Sequence, residues 1–262
     1  MKDKDRKKVG LALGGGGARG FCHIGVLEVL LENNIPIDFV SGCSMGSIVG
    51  GCYCAGVSIN NLCSLSESIN QSVVMDIQLS KRKFGFIKGN RAVSVIESLV
   101  GDKLIENCDI PFRATATDLS NAELKVFDSG RLIDAMRASM SIPIAFHAVE
   151  EEGSILVDGG VLETIPIDCC REMGADVVIA VDALGGKPQK GYEPDDLVDV
   201  LERSYMLLNW AASKYNEKKA DVVISPDQGN RSIMKFKDNL YSVEQGRIAA
   251  REMLPKIIEA IS

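Results

Sequence analysis

The chain has 262 residues, of which 46% are hydrophobic and 25% charged, as in an ordinary globular protein. Its 29 Lys and Arg and 36 Asp and Glu give a formal net charge of −7. These values exclude a disordered or collagen-like chain and argue against a dedicated nucleic-acid-binding protein, so we expect no nucleic-acid partner. The length fits one large domain or two small ones. Because no linker divides the chain, we expect a single domain over residues 1–262.

The N-terminus and the cysteines indicate the cellular compartment. The first ten residues are highly charged and lack the apolar stretch of a signal peptide. We therefore expect cytoplasmic localisation and reduced thiols at all eight Cys. No CxxC spacing occurs among them, so the sequence predicts neither a metal site nor a cofactor.

Residues 39–66 form a long segment without a charged side chain. The segment is rich in Gly, Ser and Asn and poor in large apolar residues, so it would insert poorly into a bilayer. Small residues instead allow a helix to pack closely against a sheet. We therefore predict that most of this segment is buried in the fold.

Apolar runs typical of strands alternate along the chain with helical spacings. The first strand is predicted at residues 9–13, a helix at 21–32 and a second strand at 38–42. Further elements are predicted in this order: helices at 45–55, 59–69 and 91–100, strands at 112–117 and 124–127, a helix at 132–140, a strand at 155–157, a helix at 167–173, a strand at 177–181, a helix at 197–218, a strand at 222–224 and a helix at 243–261. Such alternation favours an α/β fold with a mostly parallel sheet covered on both faces.

A glycine-rich turn follows the first predicted strand. Residues 14–20 read GGGGARG and lead into a helix. Glycines allow the backbone to approach a bound group closely, and the unpaired N–H groups at a helix N-terminus attract negative charge. The turn therefore predicts an oxyanion or phosphate site. Gly15, Gly17 and Gly20 also fit GxGxxG, which keeps nucleotide binding open, as does a tight turn without a ligand.

A second motif lies between the second predicted strand and the next helix. Residues 42–46 read GCSMG, a GxSxG motif that typically places a serine nucleophile on a sharp turn. We therefore predict Ser44 as the nucleophile. Cys43 is the adjacent rival, but neighbouring residues on a turn point in different directions.

Neither of the two histidines is a convincing base for Ser44. Ser44, Asp118 and His147 follow the order of an α/β-hydrolase triad. However, His147 lies in an apolar stretch, where we expect it to pack or to form a structural hydrogen bond. His23 begins the helix behind the glycine-rich turn, and we expect it to support that turn rather than act as the base.

Asp158 is the remaining candidate for the base. It ends a short predicted strand and is followed by Gly159 and Gly160, which allow close approach. An ordinary aspartate, with a pKa of about 3.9, is a weak base at neutral pH, but partial desolvation would raise its basicity. A Ser–Asp dyad is therefore chemically adequate, although Asp158 alone could also be a plain turn residue.

In this order, GGGGARG, GCSMG and DGG (158–160) resemble the patatin-like phospholipase family, in its small single-domain bacterial type. The resemblance covers roughly residues 9–183 and includes ATDL at 116–119 and GADVVIAVD at 174–182. It implies a three-layer α/β/α fold with a mostly parallel central sheet and lipid acyl hydrolase activity. The remaining residues, 184–262, are expected to pack on the same domain as helices and one strand.

The resemblance also implies roles for individual residues. It identifies Ser44 as nucleophile and Asp158 as base. It assigns the oxyanion hole to Gly15, Gly16, Gly17, Ala18, Arg19 and Gly20, with Gly42, Gly46, Gly159 and Gly160 supporting the motifs. Cys43 departs from the family pattern, which usually has Thr at that position.

We therefore expect a serine lipid acyl hydrolase, of esterase, phospholipase A or lysophospholipase type, that acts on a lipid or acyl-ester substrate through an acyl-enzyme. The alternatives are a nucleotide-binding module that uses the glycine-rich turn, and a regulatory protein that keeps the fold without turnover. The sequence leaves the oligomeric state open.

Residues 81–91, KRKFGFIKGNR, carry five positive charges and no acidic residue. Interleaved aromatic and basic residues suit a membrane interface, so the segment predicts peripheral membrane contact and a flap over the site. The alternative is a solvated basic loop whose Phe side chains pack on the core.

Overall fold

The computed structural model describes residues 6–76, 86–151, 153–186, 188 and 190–262. Eight strands form one sheet. They are β1 (Val9–Leu13), β2 (Phe39–Cys43), β3 (Phe112–Asp118), β4 (Glu123–Phe127), β5 (Val149–Glu151), β6 (Ser154–Asp158), β7 (Val177–Val181) and β8 (Val222–Ile224). The helices are α1 (Cys22–Glu32), α2 (Met45–Cys54), α3 (Ile59–Ser68), α4 (Gln71–Val74), α5 (Asn90–Val100), α6 (Leu132–Ser139), α7 (Ile167–Glu172), α8 (Leu197–Asn216) and α9 (Asn239–Ile261).

The sheet has the strand order β5-β6-β3-β2-β1-β7-β8, and β4 also pairs with β3. The block from β3 to β8 is parallel, whereas β6 and β4 run antiparallel to β3, and β5 runs antiparallel to β6. The predicted mostly parallel sheet is thus confirmed, with an antiparallel edge that the strand pattern alone did not indicate.

Helices cover both faces of the sheet. Alternate residues of β1 point to opposite sides: Leu11 and Leu13 join a large core with α1, α2 and α9, while Ala12 joins a smaller core with α7. The three-layer α/β/α architecture is therefore confirmed. The predicted elements are also present, and the short α4 and β5 are additional.

The uncharged segment is buried as predicted. All of α2 except Tyr53 is buried, and its small residues allow close packing. A Cβ atom at Gly46, for example, would lie 2.1 Å from the Leu13 carbonyl oxygen. No helix among the described residues is both long enough and apolar enough to cross a membrane.

The basic segment at 81–91 is described only in part, since residues 81–85 lie outside the described residues. Within the remainder, Ile87 is buried and pairs with Phe146 through a β-bridge, whereas Phe86 is 44% exposed. The flap and the membrane contact predicted for the segment therefore stay predictions.

Candidate active site

Ser44 lies on a strained turn between β2 and α2. Its φ is +52°, a left-handed conformation that a serine rarely adopts. The two glycines of the motif permit the tight packing around it. A Cβ atom at Gly42 would lie 2.5 Å from the Gly46 carbonyl oxygen, so a larger residue there would force the turn apart. The geometry matches that of a nucleophile elbow.

The backbone of Ser44 is held from two sides. Its N–H donates to the Ser139 hydroxyl at 2.8 Å, at the end of α6. Its carbonyl accepts from the Ser47 N–H at 2.9 Å and from the Ser47 hydroxyl at 2.7 Å. Ser139 therefore stabilises the strained turn, a role that nothing in the local sequence indicates.

The register of the sheet brings Asp158 to Ser44. Cys43, directly before Ser44, pairs with Thr115 of β3, and the next β3 residue, Ala116, pairs with Asp158 of β6. Ser44 and Asp158 thus lie at about the same level along β3, one on each side of this strand. Both line one cavity.

Asp158 is 1% exposed and incompletely partnered. Its Oδ1 accepts from the Gly160 N–H at 2.8 Å and contacts the Cys43 Sγ at 3.6 Å. Its Oδ2 is buried without a hydrogen-bond partner among the described residues. Desolvation raises the pKa of Asp158 to about 6, and the nearby Ser44 hydroxyl, the Gly160 N–H and the Cys43 thiol partly offset this effect. The carboxylate is therefore more basic than usual.

The glycine-rich turn forms another wall of the same cavity. The Gly14 N–H donates to Val181 O at 3.0 Å, and the Gly15 N–H donates to Thr164 O at 2.9 Å. Two further N–H groups, those of Ala18 and Arg19, donate to Ile233 O and Gly16 O. The N–H groups of Gly16 and Gly17 have no partner within the described part of the chain, and both residues line the cavity.

Arg19 anchors this turn from behind. Its buried guanidinium donates to Leu184 O at 2.7 Å and also to the carbonyls of Gly229 and Arg231. These bonds direct the side chain into the protein, away from Ser44. Gly20 is packed so closely that a Cβ atom would lie 2.5 Å from the Met45 Cβ.

The structure places neither histidine as a base for Ser44. His23 is fully buried, and its Nε2 lies 2.7 Å from Gly14 O. Burial lowers the pKa of His23 to about 4, so the ring is neutral at pH 7 and donates to the turn. His147 pairs through its backbone N–H with Ile87 O at 2.9 Å and does not line the cavity of Ser44.

Asp118 also has a structural role. Its carboxylate accepts from the Ser154 hydroxyl at 2.6 Å and from the N–H groups of Ser120 and Asn121. These bonds hold the turn after β3 and lower the pKa of Asp118 to about 2. The structure therefore does not bring Ser44, Asp118 and His147 together as a triad.

Helix α8 completes the cavity with two residues beyond the recognisable motifs. Tyr205 and Asn209 line it, and the Asn209 Oδ1 accepts from the Thr164 hydroxyl at 2.8 Å. A Cβ atom at Gly160 would lie 2.9 Å from the Tyr205 hydroxyl, which explains the glycine at this position. Only the partly polar inner face of α8 could have indicated this role from the sequence.

A second, apolar cavity extends from Ser44 in another direction. Its walls are almost entirely apolar and come mainly from α2, α4, α5, the segment after α6 and the loop before α9. They include Ile48, Val74, Ile96, Met140, Ile142, Phe146 and Phe236. The serine thus lies between a small cavity containing a carboxylate and a larger apolar one.

An α/β fold with a serine elbow, a buried carboxylate and a glycine-rich turn around one cavity defines a class of serine hydrolase-like proteins. Residues 11–170 match the patatin-like phospholipase family. The chain belongs to this family. The family resemblance inferred from the three sequence motifs is therefore confirmed.

Similar proteins span a wide size range. An uncharacterized NTE family protein of Mycobacterium tuberculosis is 35% identical over 206 residues, which is 78% of this chain and 57% of the relative. Lysophospholipase NTE1 of Yarrowia lipolytica is 33% identical over 178 residues, which is 66% of this chain and 12% of that protein. The chain therefore spans less than two thirds of these relatives.

Two solved structures share the fold. VipD from Legionella pneumophila has a TM-score of 0.63 at 14% identity, covering 96% of this chain and 67% of that chain. Human GIVD cytosolic phospholipase A2, in complex with methyl gamma-linolenyl fluorophosphonate, has a TM-score of 0.53 at 10% identity, covering 100% and 60%. At these identities the similarity concerns the fold alone.

Proposed function

We propose that this protein is a serine lipid acyl hydrolase in which Ser44 and Asp158 form a catalytic dyad. The observation that carries the proposal is the shared cavity, in which an elbow serine meets a buried carboxylate of raised pKa and two backbone N–H groups without a partner among the described residues. Family membership and a lysophospholipase among the relatives agree with it.

The reaction follows from the positions of these groups. The Ser44 Oγ attacks the acyl carbonyl while Asp158 takes the hydroxyl proton. The C–O bond to the leaving alcohol then breaks, and Asp158 returns the proton to that alcohol. Water next attacks the acyl-enzyme, with Asp158 again accepting a proton, and the free acid leaves as Ser44 is restored.

The negative charge of each tetrahedral intermediate needs donors that are already in place. The N–H groups of Gly16 and Gly17 are the donors we assign to this role, because those of Gly15, Ala18 and Arg19 are used within the protein. The sequence assigned the oxyanion hole to residues 15–20, and the proposal reduces its donors to the N–H groups of Gly16 and Gly17. It also favours an oxyanion over a nucleotide phosphate as the ligand, since the turn shares a cavity with Ser44.

The substrate class follows from the apolar cavity beside Ser44. A fatty acyl chain matches walls of aliphatic and aromatic side chains that offer almost no polar group. We therefore propose an ester with at least one such chain as substrate. The small cavity that contains Asp158 then receives the water or the alcohol.

The proposal is tested with a fluorophosphonate probe and a p-nitrophenyl ester. Ser44→Ala should abolish probe labelling and hydrolysis, and Asp158→Asn should abolish hydrolysis, while both remain folded. His147→Ala, outside the cavity, serves as the matched control and should keep its activity. Hydrolysis by Ser44→Ala above about 1% of wild type would place the nucleophile elsewhere, since losing such a residue usually lowers kcat by several orders of magnitude.

A further inference from the structure

Helix α8 is turned with its apolar side outward. Seven large apolar side chains on it are exposed: Leu197, Val198, Val200, Leu201, Leu207, Leu208 and Tyr215. Leu197, Leu208 and Tyr215 are each more than 70% exposed. Single exposed apolar residues are common, but a continuous exposed patch usually marks an interaction surface. We call these seven residues the apolar face.

Contacts with the rest of the protein fix this orientation. The Glu202 carboxylate accepts from the Ile233 N–H at 2.6 Å and from the Ser232 hydroxyl at 2.7 Å. The inner face also buries Met206 and Asn209. Because Glu202, Met206 and Asn209 are held on the inner side of α8, the apolar face lies on the solvent side.

The apolar face lies on the same helix as two residues that line the candidate active site. Tyr205 and Asn209, on the same helix, line the cavity that contains Ser44 and Asp158. Val161 and Leu162, both more than 40% exposed, lie between Gly160 and Thr164, which contact α8. These two residues extend the apolar surface around the mouth.

Ile144 is a further exposed apolar residue, two positions after Ile142, which lines the cavity. It is 55% exposed and has a φ of +72°, an outlier for a β-branched residue. Exposed apolar side chains thus occur next to cavity-lining residues in three segments: on α8, at residues 161–162 and at Ile144.

We propose that the apolar face, with Val161, Leu162 and Ile144, docks on a lipid surface so that the cavity of Ser44 opens towards the lipids. The choice of lipid as occupant rests on the proposed function, since a lipid ester must pass from an aggregate into this mouth. A second copy seated on the same surface would instead cover the mouth. Amphipathic helices lie in the interfacial plane in this manner.

Charge specifies the kind of lipid surface. The apolar face carries no charged side chain, and the residues directly before α8 include Glu193, Asp195 and Asp196. Anionic headgroups would repel this acidic end. The docking is therefore hydrophobic, suits zwitterionic lipid and is insensitive to salt, unlike the contact predicted for the basic segment at 81–91.

Flotation with neutral phosphatidylcholine vesicles tests the proposal. The wild-type protein should float with the vesicles equally at low and at high salt. The double variant Leu197→Ser and Leu208→Ser should bind at least about tenfold more weakly, because two interfacial leucines are lost. The matched control is Ile248→Ser with Ile258→Ser on α9, two exposed residues outside the cavities, and it should bind as the wild type does.

Activity measurements separate this proposal from the proposed function. The α8 variant should lose hydrolysis of vesicle lipid but keep hydrolysis of p-nitrophenyl butyrate, and Ser44→Ala should still float. If the wild-type protein hydrolyses the soluble ester but does not float with vesicles, the docking proposal is wrong and the proposed function stands. If it floats but hydrolyses neither ester, the proposed function is wrong and the docking proposal stands.

Two further outcomes would also overturn the docking proposal. One is binding that requires anionic lipid and disappears in salt. The other is a wild-type protein that forms a dimer in analytical ultracentrifugation and does not bind vesicles, together with an α8 variant that is monomeric.

Discussion

At the scale of single residues, Ser44 and Asp158 are the energetically unfavourable positions of the candidate site, one through its backbone and the other through its buried charge. Ser44 has a positive φ that only neighbouring glycines and the Ser139 hydroxyl make tolerable. Asp158 is a buried carboxylate with one oxygen lacking a partner among the described residues. Strained backbone and incompletely paired buried groups persist where the surrounding fold enforces them, and such positions cluster at functional sites.

The raised pKa of Asp158, about 6, predicts the pH dependence of activity. A base must be ionised to take the Ser44 proton, so kcat/KM should rise as the pH increases through about 6 and then level off. A pH–rate profile with a soluble ester measures this. An acid limb near the ordinary aspartate pKa, about 4, would contradict the prediction.

The same pKa predicts a stability change in Asp158→Asn. The folded state binds the Asp158 proton more tightly than the unfolded state does. The resulting stabilisation is therefore present below about pH 4 and is lost as the pH rises through about 6. We expect the neutral Asn variant to have a higher Tm than wild type at about pH 8, with the difference shrinking towards pH 4. Thermal unfolding across this range tests it, and a lower Tm for the variant at pH 8 would be the opposite result.

Cys43 should be unreactive although it contacts Asp158. Burial raises the pKa of its thiol well above the ordinary value, and the neighbouring Asp158 charge raises it further. The reactive thiolate is thus absent at neutral pH. We expect iodoacetamide to leave the activity of the native protein unchanged, and Cys43→Ser to keep it within a few-fold. Rapid inactivation, prevented in Cys43→Ser, would instead make Cys43 a participant.

At the scale of elements, the apolar cavity is formed mainly by α2, α4, α5 and the segment after α6, and we expect its depth to limit the length of the acyl chain that fits. Met140 lines it just after α6 and is 7% exposed. Met140→Trp should shorten the cavity and lower kcat/KM for long-chain p-nitrophenyl esters by about tenfold, with little change for the butyrate. Met136→Leu is the matched control, a buried residue of α6 outside both cavities. Equal losses on all chain lengths would exclude a chain-binding role.

The elements themselves could be predicted from the sequence because their signals are local. The apolar run at 9–13 and the glycines after it are sufficient to indicate a buried strand and its turn. The pairing of β6 beside β3 could not be predicted, although this pairing brings Asp158 to Ser44. Antiparallel neighbours depend on contacts between distant segments, and a one-dimensional pattern does not contain them.

The roles of Ser139, Tyr205 and Asn209 were missed for a related reason. Each lies on a helix whose own pattern indicates only burial, and each acts on the site through a tertiary contact. In contrast, Ser44, Asp158 and the glycines were predicted because their turns need unusual backbone geometry, which restricts the residue types in a recognisable way.

At the scale of the whole molecule, the apolar solvent side of α8 contrasts with the net negative charge of the chain. The net charge of −7 keeps most of the surface polar, yet the solvent side of α8 is apolar beside the mouth of the candidate site. A uniformly acidic surface would repel anionic lipid, whereas an uncharged apolar patch meets neutral lipid without that penalty. The docking surface proposed on α8 is thus the part of the described surface that we expect to meet neutral lipid.

The bonds of Arg19 connect the beginning of the chain to its last third. Its guanidinium holds carbonyls at 184, 229 and 231, more than 160 positions away, while the family match ends at residue 170. A fragment cut at the end of the family match would contain Ser44 and Asp158 but would lack the carbonyls that hold Arg19 behind the glycine-rich turn. We therefore expect a growing chain on the ribosome to be catalytically silent, with lipid hydrolysis beginning only once the last third has folded into place.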